Sequence, residues 1–248
     1  MTELNTRVVS WFSCGAASAV ASKLAVEEYG TRCVVVYCDT MASEHPDNQR
    51  FFEDVQAWLG EKIIRVKSSR FTTVDEVFDK TGYMAGINGA RCTGELKRIP
   101  RMNFERPDDL HIFGLTADEA TRAGKFEANN PMLDVDFILI RHGVTKADCL
   151  RRIEQAGITL PIMYGLGYKN NNCIGCVKAT SAAYWQKIRQ DFPDHFARRA
   201  AQSRRLGVRL TRWHGKRVFI DELPIATKQL TIEESISCGP DCSTEAQT

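Results

Sequence analysis

The sequence predicts an α/β fold in which helices cover both faces of a doubly wound, mostly parallel sheet, giving three layers. The first observation is an alternation of strand-like and helix-like segments early in the chain, which is typical of parallel sheets. The second is the run Cys33–Cys38 (CVVVYC), because strands buried on both faces are continuously apolar. The third is a change to helical patterns after Lys146, which predicts a helical, cysteine-bearing C-terminal extension.

The predicted elements begin with a strand, a tight loop and a helix. Arg7–Phe12 predicts the strand, the small residues of Ser13–Ser18 predict the loop, and the helix runs to about Tyr29. Cys33–Cys38 is the next strand. The later elements are a helix at Asn48–Leu59, strands at Lys62–Val66, His111–Gly114 and Asp136–Ile140, a helix at Lys146–Gly157, a loop at Pro161–Asn172, a basic helix at Tyr184–Leu206 kinked or split at Pro193, and a short strand at Val218–Ile220.

Composition excludes several classes of protein. Hydrophobic residues make up 43% and charged residues 26% of the 248 residues, as in a globular protein with a real core. The net charge of +2 gives no global basic field for a nucleic acid. No stretch approaches the roughly 18–20 apolar residues of a membrane span, so no membrane partner is predicted. Nine cysteines, some in close pairs, fit a reducing compartment, and we expect a cytoplasmic protein.

The first loop is a candidate phosphate site. A strand, a turn and a helix bring free backbone N–H groups together at a helix N-terminus, where an anion is favoured. Small side chains let the backbone approach a phosphate closely, and the two serines add hydroxyl donors. The alternative is an ordinary turn with a helix cap. The predicted phosphate-binding residues are Ser13, Cys14, Gly15, Ala16 and Ser18.

Asp39 is a candidate nucleotide ligand because it follows a predicted buried strand. Ligands of open α/β sheets bind at the carboxyl ends of the strands. A carboxylate there can accept a hydrogen bond from a ribose hydroxyl or an adenine amino group, or help to hold Mg²⁺. The alternative is that Asp39 caps a helix.

The segment Cys173-Ile174-Gly175-Cys176 is a candidate metal or redox site. Two thiolates separated by two residues in a turn converge on one point, and glycine permits the tight bend. An iron–sulfur cluster, a structural zinc ion and a redox dithiol all use this spacing. A closed metal site needs further ligands, and Cys92 and the tail cysteines Cys238 and Cys242 are available.

Several segments resemble known nucleotide-binding motifs. Ser13–Ser18 resembles the PP-loop of nucleotide α-hydrolases, written SGGxDS, with Cys14 at the first glycine and Ala17 at the acidic position. Four further segments resemble motifs of the phosphoadenosine phosphosulfate (PAPS) and adenylyl-sulfate reductases of that superfamily. They are the segment DTMASEHPD from Asp39, Arg91–Pro100, His111–Arg122 and Val144–Asp148.

The resemblance covers about residues 8–176 and implies a fold of the HUP, or PP-loop, type. Residues 1–165 would form the nucleotide-binding core and residues 166–248 the region that binds a metal cluster. Lys97 and Arg122 would contact the phosphate or sulfate, and Asp39 would line the nucleotide pocket.

The resemblance also implies a [4Fe-4S] cluster. Cys92 lies 81 positions before Cys173, close to the spacing in adenylyl-sulfate reductases. The implied ligands are Cys92, Cys173, Cys176 and Cys242, which leaves Cys238 as the nucleophile that attacks sulfur. The reverse roles for Cys238 and Cys242 stay open.

The expected function is thiol-dependent reduction of an adenine sulfonucleotide, with a thioredoxin-like electron donor. The first alternative is an ATP-dependent sulfurtransferase that modifies a nucleic-acid base, for which the basic helix from Arg189 to Arg209 would suit the nucleic acid. Ala17 argues against ATP cleavage in that alternative. The second is a non-catalytic nucleotide-binding protein stabilised by Zn²⁺.

Overall fold

The computed structural model describes residues 6–86 and 89–226, together with Leu230, Ile232 and Ile236. Cys238 and Cys242 lie outside the described residues. The described chain is α/β, with a parallel central sheet of five strands between two layers of helices. The predicted α/β class and its parallel sheet are therefore confirmed.

The strands form one large sheet and two small ribbons. They are β1 (Val8–Phe12), β2 (Cys33–Cys38), β3 (Ile63–Val66), β4 (Ala85–Gly86), β5 (Gly89–Ala90), β6 (Leu110–Phe113), β7 (Asp134–Asp136), β8 (Thr211–Trp213) and β9 (Lys216–Val218). The central sheet has the order β3-β2-β1-β6-β7, and each neighbouring pair is parallel. The strand order thus reverses between β1 and β6, and such a reversal opens a crevice at the carboxyl ends of the two strands.

Helices occupy both faces of this sheet and build the C-terminal extension. They are α1 (Ala16–Tyr29), α2 (Asn48–Leu59), α3 (Val74–Thr81), α4 (Arg91–Thr93), a π-helical turn (Gly94–Arg98), α5 (Ile99–Phe104), α6 (Ala120–Asn129), α7 (Ile138–Arg141), α8 (Lys146–Gln155), α9 (Ile162–Gly165), α10 (Ala182–Asp191) and α11 (Pro193–Arg205). Among the described residues, no helix has the length and apolar character needed to cross a membrane.

The strand β1 is buried along its whole length because both of its faces are covered. Alternate side chains of a strand point to opposite faces. Val8 and Phe12 therefore lie in the apolar cluster beneath α1, α2 and α8, whereas Val9 and Trp11 lie in the cluster on the other face. Continuous hydrophobicity in this strand follows from double burial.

Two predicted strands differ from the structure, whereas the predicted break at Pro193 is confirmed. The predicted strand at Asp136–Ile140 is wrong, because β7 ends at Asp136 and α7 begins at Ile138. Short apolar runs do not distinguish a buried helix from a strand. The basic helix is split into α10 and α11, since Pro193 lacks the N–H that would continue the helix. The predicted strand Val218–Ile220 is displaced, because the observed strand β9 spans Lys216–Val218 and pairs with β8 in a hairpin.

A third apolar cluster surrounds Trp185 in the C-terminal part of the chain. It combines residues of α3 and of the segment near Cys92 with α10, α11 and the chain around Cys176. The cluster therefore contains residues from both sides of the predicted boundary at residue 165. The boundary itself stays a prediction.

Buried His111 on β6 predicts a pH-dependent stability. The Trp11 indole N–H donates to Nδ1 of His111 at 3.0 Å, so this nitrogen must be unprotonated. Burial and the nearby Arg101 lower the pKa of His111 to about 4. The unfolded chain, with a histidine pKa near 6.5, binds a proton between these two values and the folded chain does not.

We expect the free energy of unfolding to fall as the pH drops from about 6.5 to about 4, by up to about 3 kcal/mol from this group. Urea unfolding at a series of pH values measures the effect. His111→Gln retains an acceptor for the Trp11 N–H and should flatten the curve in this window. An unchanged pH profile in the variant would contradict the assignment of the effect to His111.

Candidate anion-binding site at the strand-order reversal

A polar pocket lies at the crevice between β1 and β6. The segment after β1 contributes Ser13, Gly15 and Ser18 to its wall, and the segment after β6 contributes Gly114 and Leu115. The cavity volume is about 90 Å³, whereas pockets for whole small molecules usually have roughly 300–1,000 Å³. This space is therefore large enough for a small anionic group such as a phosphate and too small for a whole nucleotide.

The two serines of the loop bond mainly to the loop itself. The Ser18 hydroxyl accepts from the Ser13 N–H at 3.0 Å and donates to the Gly15 carbonyl at 2.9 Å. The Ser13 hydroxyl donates to the Ser18 hydroxyl at 3.1 Å. These contacts hold the turn into α1, and both side chains still line the pocket.

Cys14 shapes the loop through its backbone. Its φ of +59° lies in the left-handed region, which explains why glycine is favoured at this position of PP-loops. The thiol is fully buried and donates to the Asn48 carbonyl at 3.4 Å. Burial raises the pKa of this thiol well above its usual value, so Cys14 is neither an anion ligand through its side chain nor a reactive thiolate.

Tyr164 is a pocket residue that the sequence did not reveal. Its hydroxyl accepts from the backbone N–H of Ala16, the first residue of α1, at 3.2 Å. This N–H is one of the donors that a helix N-terminus leaves without a partner in the helix. Tyr164 and Ala16 are 148 positions apart, and no local motif connects them.

Two cations line the pocket, and one of them was missed as a site residue. Arg122 of α6 was predicted and pairs with Glu119 at 2.7 Å. Lys146 begins α8, and its ammonium lies 5.3 Å from the ring centre of Tyr164 and 3.2 Å from the Asn170 side-chain oxygen. Glu119 also lines the pocket, so the three charges sum to about one positive charge beside the loop.

Lys97 and Asp39 lie outside this pocket wall. Lys97 is buried in the π-helical turn. Its positive charge lowers the pKa of the Cys14 and Cys38 thiols, but burial raises both pKa values by more, so both remain above their usual value. The Asp39 carboxylate accepts from the Met41 N–H at 3.1 Å and pairs with Lys67 at 3.4 Å and with Arg65. The contact with Met41 closes a local turn, and the N-cap of the short 3-10 helix Met41–Ser43 that follows is Thr40 rather than Asp39.

Asn171 connects the cysteine turn to the phosphate loop. Its amide nitrogen donates to the Cys14 carbonyl at 2.6 Å and to the Asn48 side-chain oxygen at 2.9 Å. The Asn48 amide in turn donates to buried Glu44 at 2.6 Å. Glu44 also accepts from the hydroxyls of Tyr37 and Thr40. This buried network fixes the loop because each donor has a defined acceptor.

The two neighbouring asparagines form hydrogen bonds with the backbone at Ile236. The Asn170 and Asn172 amides both donate to the Ile236 carbonyl, at 2.9 and 2.7 Å. Ile236 and all three asparagines line the pocket. The asparagine triplet was interpreted as a turn or as donors to cluster sulfurs, and its contact with Ile236 was not foreseen.

The predicted metal ligands Cys92 and Cys176 are buried in the apolar cluster around Trp185, and Cys173 packs against it. Gly175 has a φ of +66°, and the Cys176 N–H donates to the Tyr184 hydroxyl at 2.9 Å. Over residues 6–86 and 89–226, no three or more histidine, cysteine or acidic residues form a group that could hold a metal ion. Cys92, Cys173 and Cys176 lie within these ranges and so do not form such a group by themselves. The predicted set also includes Cys242, outside the described residues, so the centre stays a prediction.

Three other thiols are core residues. Cys33, Cys38 and Cys149 are buried, and burial raises the pKa of each to about 12. Protonated thiols of this kind are poor nucleophiles and poor metal ligands. Their interpretation as small core residues agrees with this burial.

Comparisons with known proteins add no relative to this description. No protein-family model matches the chain, and a search of curated proteins likewise finds no match. The resemblance to the reductases therefore rests on the quoted motifs alone and stays a prediction.

Proposed function

We propose that this chain binds an adenine sulfonucleotide with its phosphate and sulfate groups in the pocket between β1 and β6, and that the Cys238 thiolate removes the sulfur group. Lys146 and Arg122 would neutralise the oxyanion, and the N-terminus of α1 would add its dipole. The pocket lies where open α/β sheets bind their ligands. The substrate class itself comes from the motif resemblance.

The single observation that carries the proposal is the attachment of Ile236 to the pocket wall. Two asparagine amides hold its carbonyl there. Cys238 follows two positions later, and two residues of extended chain span at most about 7 Å. Chain length alone would therefore let the Cys238 thiol reach the space proposed for the charged end of the nucleotide.

The proposed reaction transfers a sulfonate group from the nucleotide to the Cys238 thiolate and then releases it as sulfite. The Cys238 thiolate attacks the sulfur atom, an S–S bond forms, and the S–O bond to the nucleotide phosphate breaks to release the nucleotide. A thiolate of a thioredoxin-like donor then attacks the Cys238 sulfur and releases sulfite. The resulting mixed disulfide is resolved by the second donor thiol, so two donor thiols are oxidised for each sulfite formed.

A thiolate-bound cluster fits the chemistry of the described donors. Cys92 and Cys176 are buried in an apolar cluster and Cys173 packs against it, and soft thiolate donors suit iron–sulfur clusters or zinc. When bound, such a cluster would tune the electrostatics near the substrate. Cys92, Cys173 and Cys176 would hold it together with Cys242.

Assays on anaerobically purified protein separate the candidate functions. With adenylyl sulfate or PAPS and reduced thioredoxin, we expect sulfite and the free nucleotide. With ATP we expect no pyrophosphate, because Ala17 replaces the acidic residue of ATP-cleaving PP-loops. Pyrophosphate release without sulfite formation would instead support the sulfurtransferase, and nucleotide binding without either reaction would support the non-catalytic alternative.

A matched pair of variants tests the role of the pocket. Lys146→Gln should raise the KM for the sulfonucleotide by roughly 10- to 100-fold, because a charge-assisted contact is lost. Lys125→Gln removes an exposed lysine of α6 and should leave KM unchanged. Equal effects of the two substitutions would contradict the assignment of the pocket.

A further inference from the structure

The β8–β9 hairpin and the residue leading into it carry four basic side chains and no acidic one. Residues 209–218 (RLTRWHGKRV) contain Arg209, Arg212, Lys216 and Arg217, all of which are exposed. In the part of the chain that the structure describes, none of these four forms an ion pair. The segment is therefore a compact and uncompensated positive patch.

The preceding helix shows the opposite arrangement. Each arginine of α11 pairs with a carboxylate, Arg198 and Arg199 with Asp75, Arg204 with Asp221 and Glu222, and Arg205 with Asp79. The arginines of α11 are therefore compensated by carboxylates. Of these two neighbouring basic segments, the hairpin is the one whose cations have no acidic partner among the described residues.

The register of the hairpin places like charges in direct opposition. Arg212 is paired with Arg217 across the two strands. Like charges directly opposite each other on one sheet face destabilise a hairpin, and within the described ranges no carboxylate pairs with either arginine. The arrangement costs stability, and an anionic partner would remove that cost.

The patch is fixed to the body of the protein. The Thr211 hydroxyl and the Arg212 N–H both donate to the Thr180 carbonyl, at 2.8 and 3.4 Å. Trp213 and Val218 pack against the apolar cluster around Trp185. The turn residues His214 and Gly215 both have positive φ, as the tight two-residue turns of type I′ require. The cations are therefore presented on an ordered ribbon.

We propose that this hairpin binds the phosphate backbone of a nucleic acid. Three of the four cations are arginines, whose planar guanidinium groups suit bidentate phosphate contacts. The Arg209 guanidinium lies over the Phe219 ring, 4.9 Å from its centre, which leaves its hydrogen-bonding edge available. A two-stranded β-ribbon is also narrow enough to enter the major groove of a duplex.

The chemistry of the ribbon favours a nucleic acid over other polyanions. Within residues 209–218 no large apolar side chain is exposed, so the hairpin lacks the groups that insert into a lipid surface. An acidic protein would present isolated carboxylates, whereas the closely spaced arginines match the regular phosphates of a nucleic acid. This proposal is independent of the sulfonucleotide reaction and can hold or fail separately.

The test is equilibrium binding of fluorescent duplex DNA, single-stranded DNA and an RNA hairpin to the full chain at several salt concentrations. The variant Arg212→Gln/Lys216→Gln/Arg217→Gln is compared with Lys62→Gln/Arg106→Gln/Lys125→Gln, which removes the same charge from exposed residues elsewhere. We expect the hairpin variant to bind roughly 10- to 100-fold more weakly. Its slope of log K against log salt should be smaller by about 2 to 3. The control should bind like the wild type.

Three outcomes would overturn the proposal: no binding by the wild type at low salt, equal losses in the two variants, or equal binding of polyglutamate or phosphatidylserine vesicles. Photo-cross-linking of the wild type to the oligonucleotide gives a result that does not depend on the folding of a variant. Cross-linked peptides should contain residues 209–218. Cross-links confined to other parts of the chain would also overturn it.

Discussion

Gly114→Ala is expected to destabilise the protein and to weaken anion binding in the pocket. A Cβ atom at Gly114 would lie 2.7 Å from both the N and the Cα of Ser18, closer than real Cβ contacts. The obstructing atoms belong to the backbone of α1, so a rotamer change cannot relieve the clash. The first turn of α1 must move away from β6, and this turn carries the phosphate loop.

We expect the free energy of unfolding to fall by about 1–3 kcal/mol, as for other overpacked sites. We also expect sulfonucleotide affinity to fall by at least about tenfold, since 1.4 kcal/mol of lost contact has that effect. Urea unfolding and calorimetric titration measure the two quantities.

Gly124→Ala in α6 is the matched control, because no atom lies within 4 Å of its Cβ position. It should stabilise the helix by roughly 0.5–1 kcal/mol. A destabilised Gly124→Ala with an unaffected Gly114→Ala would contradict the packing described here.

Cys238→Ser is expected to reduce sulfite formation by on the order of a thousandfold or more, because a serine hydroxyl is a poor nucleophile at neutral pH. Binding of adenylyl sulfate should change little, since the pocket residues are intact. Single-turnover assays and binding titrations under anaerobic conditions separate these two effects.

Cys242→Ser is the matched tail variant and should instead lower metal content, with turnover falling in proportion. The reverse pattern, an inactive Cys242→Ser and an active Cys238→Ser, would exchange the two roles. Unaltered turnover in both variants would exclude the tail from the chemistry.

Most of the core could be predicted from local sequence. The bounds of α1, β2 and α2 agree closely with the patterns that predicted them. Burial on both faces and helical periodicity both produce patterns of apolar residues that are visible in a short stretch of sequence. Adjacent residues also pointed to the loop after β1 and to Arg122, both of which line the pocket, whereas phosphate binding there stays a prediction. The edge strand β7 was misplaced, since the apolar run after it forms a short buried helix.

The rest of the site depends on contacts between distant segments. Tyr164 reaches the first turn of α1 from α9, and Asn171 reaches the Cys14 carbonyl from the cysteine turn. Asp39 was expected at a nucleotide, yet Arg65 and Lys67 on and beside the adjacent strand β3 pair with its carboxylate. No local pattern encodes which distant side chain completes a loop, so these partners could be found only in three dimensions.

The most direct measurement is mass spectrometry of the protein after incubation with adenylyl sulfate in the absence of a donor thiol. The account predicts a covalent adduct with the mass of a sulfonate group on Cys238, and its loss when reduced thioredoxin is added. An adduct on a cysteine outside the tail, or no adduct while sulfite is still formed on adding the donor, would contradict the claim that the tail thiol meets the nucleotide at the β1–β6 pocket.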